Sequence, residues 1–180
     1  MGENTNMGRS QPIGAREPMD RTEAPTDVLV VDDEEDIRTA LREILEGEGY
    51  STAGASNGAE ALELLRKSTT APRLILLDLM MPVVDGWEFL TRIDDDSRLH
   101  RIPVALMSAH ASVRRALDKH REEAKSIRLL LPKPLNILRV LATVRYFCSG
   151  DAPHDEALRN GEDAWELDEA PTAKFRPIRA

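Results

Sequence analysis

Five polar side chains each sit where an apolar run stops: Asp32 and Asp33 after VLVV, Asp78 after LILL, Ser108 after VALM, and Lys133 after LLLP. Three carboxylates brought to one place repel one another, which raises their pKa values or demands a cation. An all-oxygen donor set of high charge selects a hard divalent ion, Mg2+ first. A hydroxyl and a long-stemmed ammonium beside a carboxylate make a setting for phosphoryl transfer. Cation and lysine neutralise the transferring oxygens, and an in-line carboxylate can attack phosphorus to give an acyl phosphate. Taken singly, each residue has a plainer reading. An acidic pair ahead of a helix matches its dipole. Asp78 can cap a turn, Ser108 can cap a helix, and a Lys before Pro is usually a solvated loop charge. The chemistry rests on their joint occurrence at run ends.

Such run ends meet if the runs are strands of a parallel sheet, whose strand ends of one kind share one edge. The segment from about 27 to 149 alternates accordingly. After VLVVD, Ile37, Leu41, Ile44 and Leu45 recur at helical spacing. Glu34, Glu35 and Asp36 lie at the start of that helix, and Gly47 and Gly49 end it. Tyr50 to Ala55 is a weaker second strand. Asn57 caps a helix with Ala61, Leu62 and Leu65 inward. LILLD is apolar on both faces, as a central parallel strand should be. Pro82 and Gly86 shape the next loop, and Trp87, Leu90 and Ile93 start a third helix. PVALM comes next, then a polar helix from about Ala111 to Lys125, then IRLLL. The last helix, from about Asn136, buries Ile137, Leu141 and Val144, with Val140 and Phe147 beside them. Five strands alternating with five helices predict an α/β doubly wound five-stranded parallel sheet with helices on both faces. In the strand order 2-1-3-4-5 the first and third strands adjoin where the order reverses, the usual place for a ligand. Asp32, Asp33 and Asp78 then stand side by side.

The chain has 180 residues, 41% apolar and 31% charged, with net charge −8. That suffices for one domain with a core plus tails. The negative balance argues against nucleic-acid binding. No apolar run approaches the ~20 residues of a membrane helix, and the N-terminus lacks an apolar export signal. Cys148 stands alone, so no intrachain disulfide forms. It reads as a small core filler, and a reducing, cytoplasmic setting is expected. Neither a Gly-x-Gly-x-x-Gly nor a Gly-x-x-x-x-Gly-Lys-Ser/Thr loop is present, which weighs against a nucleotide site. Residues 1–26, with Pro12, Pro18, Pro25 and no apolar period, read as a disordered tail. Residues 150–180 hold eight acids against four bases and read as an acidic tail without regular structure.

The segments VVDDEED, LLDLMMPVVDGWEFL, MSAH and LPKP, in that order, resemble the receiver domain of two-component response regulators over about residues 27–149. The resemblance implies a flavodoxin-like fold and a role for each matched position. Asp78 would accept a phosphoryl group. Asp33 and Asp78 would ligate Mg2+ together with the backbone carbonyl of Met80, and Asp32 would act mostly through a metal-bound water. Lys133 would pair with phosphoryl oxygens, Ser108 would hydrogen-bond one of them, and the Lys133–Pro134 bond would be cis. The donor would be a histidine kinase or a histidine-phosphotransfer protein. The chain would be a stand-alone signalling phosphoacceptor and not a turnover enzyme. Its signal would pass to a downstream protein by the face of the fourth strand, fourth helix, fifth strand and last helix, a face that also leaves a homodimer open. No nucleic acid and no membrane enter this reading. One position departs from the family pattern: Leu130, three before Lys133, stands where an aromatic usually swings inward.

The same residues suggest two rival functions. Leu130 favours a receiver-like adaptor that signals without phosphate, whereas the acidic trio and Lys133 oppose it. A phosphatase with an aspartyl intermediate typically needs an acid two positions after its nucleophile, and Met80 holds that position.

Overall fold

Short runs of Val, Leu and Ile suit a pleated surface buried on both faces. They form β1 (Val28–Val31), β3 (Leu74–Asp78), β4 (Val104–Ser108) and β5 (Ile127–Pro132) of one sheet, with the less apolar TAGA segment as its edge strand β2 (Thr52–Ala55). The helices are α1 (Glu35–Gly47), α2 (Gly58–Lys67), α3 (Gly86–Asp94) and α4 (Ile137–Ser149). The computed structural model describes residues 25–108 and 125–150, together with the backbone of residues 165–167 and 175–177. The polar helix expected from Ala111 to Lys125, apart from Lys125 itself, and the tail 1–24 lie outside the described residues, as does most of 151–180.

The five strands run parallel in the order 2-1-3-4-5, as expected. Register does the positioning. Val31 pairs with Leu77, so Asp32 and Asp78 leave their strands level with each other. Ser108 pairs with Pro132, which brings Lys133 to the same edge.

Alternate strand residues feed two cores. Leu29, Val31, Ile75, Leu77, Val104 and Leu106 face α2 and α3, meeting Leu62, Leu65, Phe89, Leu90 and Ile93. Val28, Val30, Leu74, Leu76, Ala105 and Met107 face α1 and α4, meeting Leu41, Leu45, Val140, Val144 and Cys148. Burial pushes the Cys148 thiol up to about 11, which fits an inert filler. Among the described residues no helix is long and apolar enough to cross a membrane.

Two expectations change. Ile137 is 37% exposed and Leu141 only partly covered, whereas Val144 and Val140 are buried as expected, joined by Ala142, Thr143 and Cys148. Ile137 opens the helix one residue after the Asn136 cap, before the apolar stripe reaches the sheet. The acidic tail, expected without regular structure, adds two short antiparallel strands, β6 (Trp165–Leu167) on β5 and β7 (Phe175–Pro177) on β6. The free side of β5 offers unpaired backbone groups, and a short strand satisfies them.

Candidate functional site

Asp32 comes directly after β1 and is fully buried; its Oδ1 accepts the Glu34 N–H at 3.0 Å. Asp33, the next residue, is exposed. Asp78 closes β3 at 6% exposure, and its Oδ1 accepts the Met80 N–H at 3.3 Å. One carboxylate oxygen from each of these three acids lies within 4.8 Å of the others. Lys133 reaches in from the far side. Its Nζ donates to Asp78 Oδ2 at 2.8 Å and to Asp32 Oδ2 at 3.1 Å, and it lies 3.6 Å from Glu34 Oε1. Ser108 is buried at the end of β4, and its carbonyl accepts the Lys133 N–H at 2.8 Å. The Lys133–Pro134 peptide is cis.

Electrostatics here are poised, not satisfied. Burial pushes the Asp32 carboxyl above its ordinary pKa, against the pull of the Lys133 and Glu34 hydrogen bonds. Burial also weakens the Lys133 ammonium, but its bonds to Asp78 and Asp32 outweigh that and raise its pKa. Three carboxylates against one ammonium leave two negative charges, the charge a divalent cation cancels. Asp33 is exposed, so one side of the acidic cluster meets solvent, as a water-sharing hard cation requires.

The loop after β3 shapes the mouth. At Gly86 a Cβ would come within 2.7 Å of the Asp78 carbonyl oxygen, so only glycine lets α3 start against the strand end. Asp85 caps α3 by accepting the Glu88 N–H at 2.8 Å. Met80 and Val83 leave their side chains exposed on this loop.

All of these elements fall inside the segment that matches the family model for the response regulator receiver domain, residues 28–145. This chain belongs to the response regulator receiver family. The polar-differentiation response regulator DivK of Brucella anthropi is 34% identical over 128 residues, covering 71% of this chain and 99% of that relative. A 14.6 kDa protein of Leptolyngbya boryana is 33% identical over 133 residues, covering 74% and 98%. Among solved structures, the chemotaxis protein CheY4 of Vibrio cholerae is similar at TM-score 0.59 and 27% identity, covering 69% of this chain and 99% of that one. The receiver domain of NtrX from Brucella abortus is similar at TM-score 0.58 and 28% identity, covering 69% and 100%.

For a receiver read from sequence, the five expected side chains do come to one strand edge. Met80 takes part by its amide, which bonds Asp78. Sequence reasoning missed two neighbours. Glu34 was assigned only to the helix dipole, yet it stands beside Lys133. Arg38 was not singled out, yet its Nη1 donates to the Asp32 carbonyl at 2.6 Å. Its signal was faint: a basic residue in the first turn of α1, opposite a glycine in β2.

Proposed function

We propose that this receiver accepts a phosphoryl group onto Asp78 in a Mg2+-dependent reaction, from the phosphohistidine of a histidine kinase or histidine-phosphotransfer protein. The observation that carries the reading is the Lys133 ammonium bridging Asp78 and Asp32 at the rim of three converging carboxylates. The donor set fits Mg2+, being all oxygen and short of two positive charges. Asp33 and Asp78 would hold the ion with the Met80 carbonyl, and Asp32 would act through a bound water. When bound, the ion supplies positive charge to the phosphoryl oxygens.

An Asp78 carboxylate oxygen forms a bond to phosphorus as the donor's phosphorus–nitrogen bond breaks. The imidazole leaves with that electron pair, and an acyl phosphate remains. Lys133 tracks the negative charge onto the new oxygens, and the Ser108 hydroxyl donates to one of them. Exposed Met80 and Val83 on the loop after Asp78 offer a docking protein apolar contact. The protein acts as a signalling phosphoacceptor in the cytoplasm, not as a turnover enzyme. Its output leaves by the face carrying β4, β5 and α4, with Leu130 repacking in place of an aromatic.

The test is intact-mass measurement after incubation with acetyl phosphate and Mg2+. Wild type should gain one phosphoryl group, and neither Asp78→Asn nor chelator-treated wild type should gain any. Equal labelling of Asp78→Asn, or none on wild type, refutes the assignment.

A further inference from the structure

The Asp32–Asp33 peptide joins the buried acid to the exposed one, and a side chain from α1 holds its carbonyl. Arg38 Nη1 donates to the Asp32 carbonyl oxygen at 2.6 Å. The stem that delivers it lies across β2, where Gly54 has no side chain. A Cβ there would stand 3.4 Å from Arg38 Cδ and 3.1 Å from Arg42 Cδ. Arg42, one turn further along α1, uses its guanidinium elsewhere, donating to Thr52 Oγ1 at 3.1 Å and Glu46 Oε1 at 3.3 Å. Two arginines of the same helix thus share the Gly54 gap, but only Arg38 touches the acidic turn.

That contact has a geometric consequence. A peptide group is planar, so fixing its carbonyl fixes the opposite N–H and the direction in which the next residue departs. Asp32 is already held at its side chain by Lys133 and Glu34 N–H. Asp33 is exposed, and the plane of the preceding peptide sets the direction of its N–Cα bond, from which its carboxylate departs. On the α2 side, the charge of Arg38 is felt by Glu60, which accepts hydrogen bonds from Ser56 N–H and Oγ at 2.7 Å each. Among the described residues, the side-chain hydrogen bond that fixes Arg38 is thus the one to the Asp32 carbonyl at the end of β1.

We propose that Arg38 is a positioning residue for the cation site: by holding the carbonyl of the Asp32–Asp33 peptide it aims the Asp33 carboxylate at the ion. The inference rests on the Mg2+ reading above. Partners that orient metal ligands typically contribute about 10–100-fold in metal affinity, and the lower end suits a contact made through main chain.

The experiment is a calorimetric Mg2+ titration of full-length wild type, Arg38→Met, Arg38→Lys and Arg42→Met, with thermal midpoints taken in chelator. Arg38→Met keeps the stem over Gly54 and loses the donor; it should bind Mg2+ about tenfold more weakly. Arg38→Lys should recover part of that, and Arg42→Met should stay within about twofold of wild type. In the metal-free protein, the Glu34 amide should exchange faster in Arg38→Met but not in Arg42→Met. Binding by Arg38→Met within about twofold of wild type overturns the proposal, as does an equal loss in Arg42→Met, which would mean general loosening of α1. An unchanged Glu34 exchange rate also overturns it. No Mg2+ binding by wild type removes the magnesium reading itself, and that failure shows before any variant is compared.

Discussion

Asp32 has no solvent exposure and shares one ammonium with Asp78. Burial raises its folded pKa above the ordinary 3.8, so the native state binds its proton more tightly than the unfolded chain does. Ionised Asp32 therefore lowers stability above its folded pKa, and that cost vanishes below the unfolded value. Asp32→Asn should raise the metal-free thermal midpoint at pH 7 by a few degrees, with the gap closing as pH falls toward 3.8. Calorimetry in chelator decides it; a lower midpoint for the variant would mean that the lost Lys133 bond outweighs the relieved burial. Added Mg2+ should then stabilise wild type more than the variant, because stabilisation follows ligand affinity. Lys133→Met acts in the opposite direction. It strands two buried carboxylates and should cost about 3–5 kcal/mol without metal, read from denaturant unfolding. The function of the pocket and the stability of the empty fold thus pull Asp32 in opposite directions.

Elements carry a second kind of strain. Val83 has φ 70°, with Val84 N–H donating to the Pro82 carbonyl at 2.9 Å across it. That is the rare hand of γ-turn, and a β-branched side chain sits poorly there. Val83 is 82% exposed, so it gains little packing in return. Val83→Asn should stabilise the protein by about 1 kcal/mol, because Asn tolerates positive φ; an unchanged or lower denaturant midpoint would show the turn to be unstrained. Gly86→Ala should cost about 1–3 kcal/mol, since its Cβ meets backbone at the end of β3. These elements also show what the sequence discloses. LILLD reads as a central strand because burial on both faces leaves a continuous apolar run, and every residue of β3, and of its neighbour β4, is buried. Asn57 and Asp85 sit ahead of their helices as N-caps, and Asn57 was legible as one. Ile137 misled, because helical spacing does not say which end of an apolar stripe clears the sheet. Arg38 stayed hidden because its bond is to main chain, which leaves no mark on residue types.

At the scale of the whole molecule, the sheet ends differently on its two sides. β2 is a short, partly covered edge strand. β5 would be the other edge, but β6 and β7 extend the sheet beyond it, with Leu129 opposite Glu166 and Leu130 opposite Trp165. The strands were legible as short runs, β2 least clearly, while their order 2-1-3-4-5 came with the resemblance and not from any single run. The extension was not legible, because three-residue strands carry no period. It bears on the proposed output, since Leu130 is the departure from the family pattern and is paired from outside by the tail. Removing residues 151–180 should return β5 to the edge while leaving the matched domain, residues 28–145, intact. Without a neighbouring strand, outward-facing β5 amides lose their acceptors, so exchange over Ile127–Leu131 should speed up while β1 and β3 stay protected. Hydrogen exchange with mass readout on full-length and shortened chains measures this directly. Equal β5 protection in both would show that the tail does not hold that edge in solution, and Leu130 would then face partners unshielded.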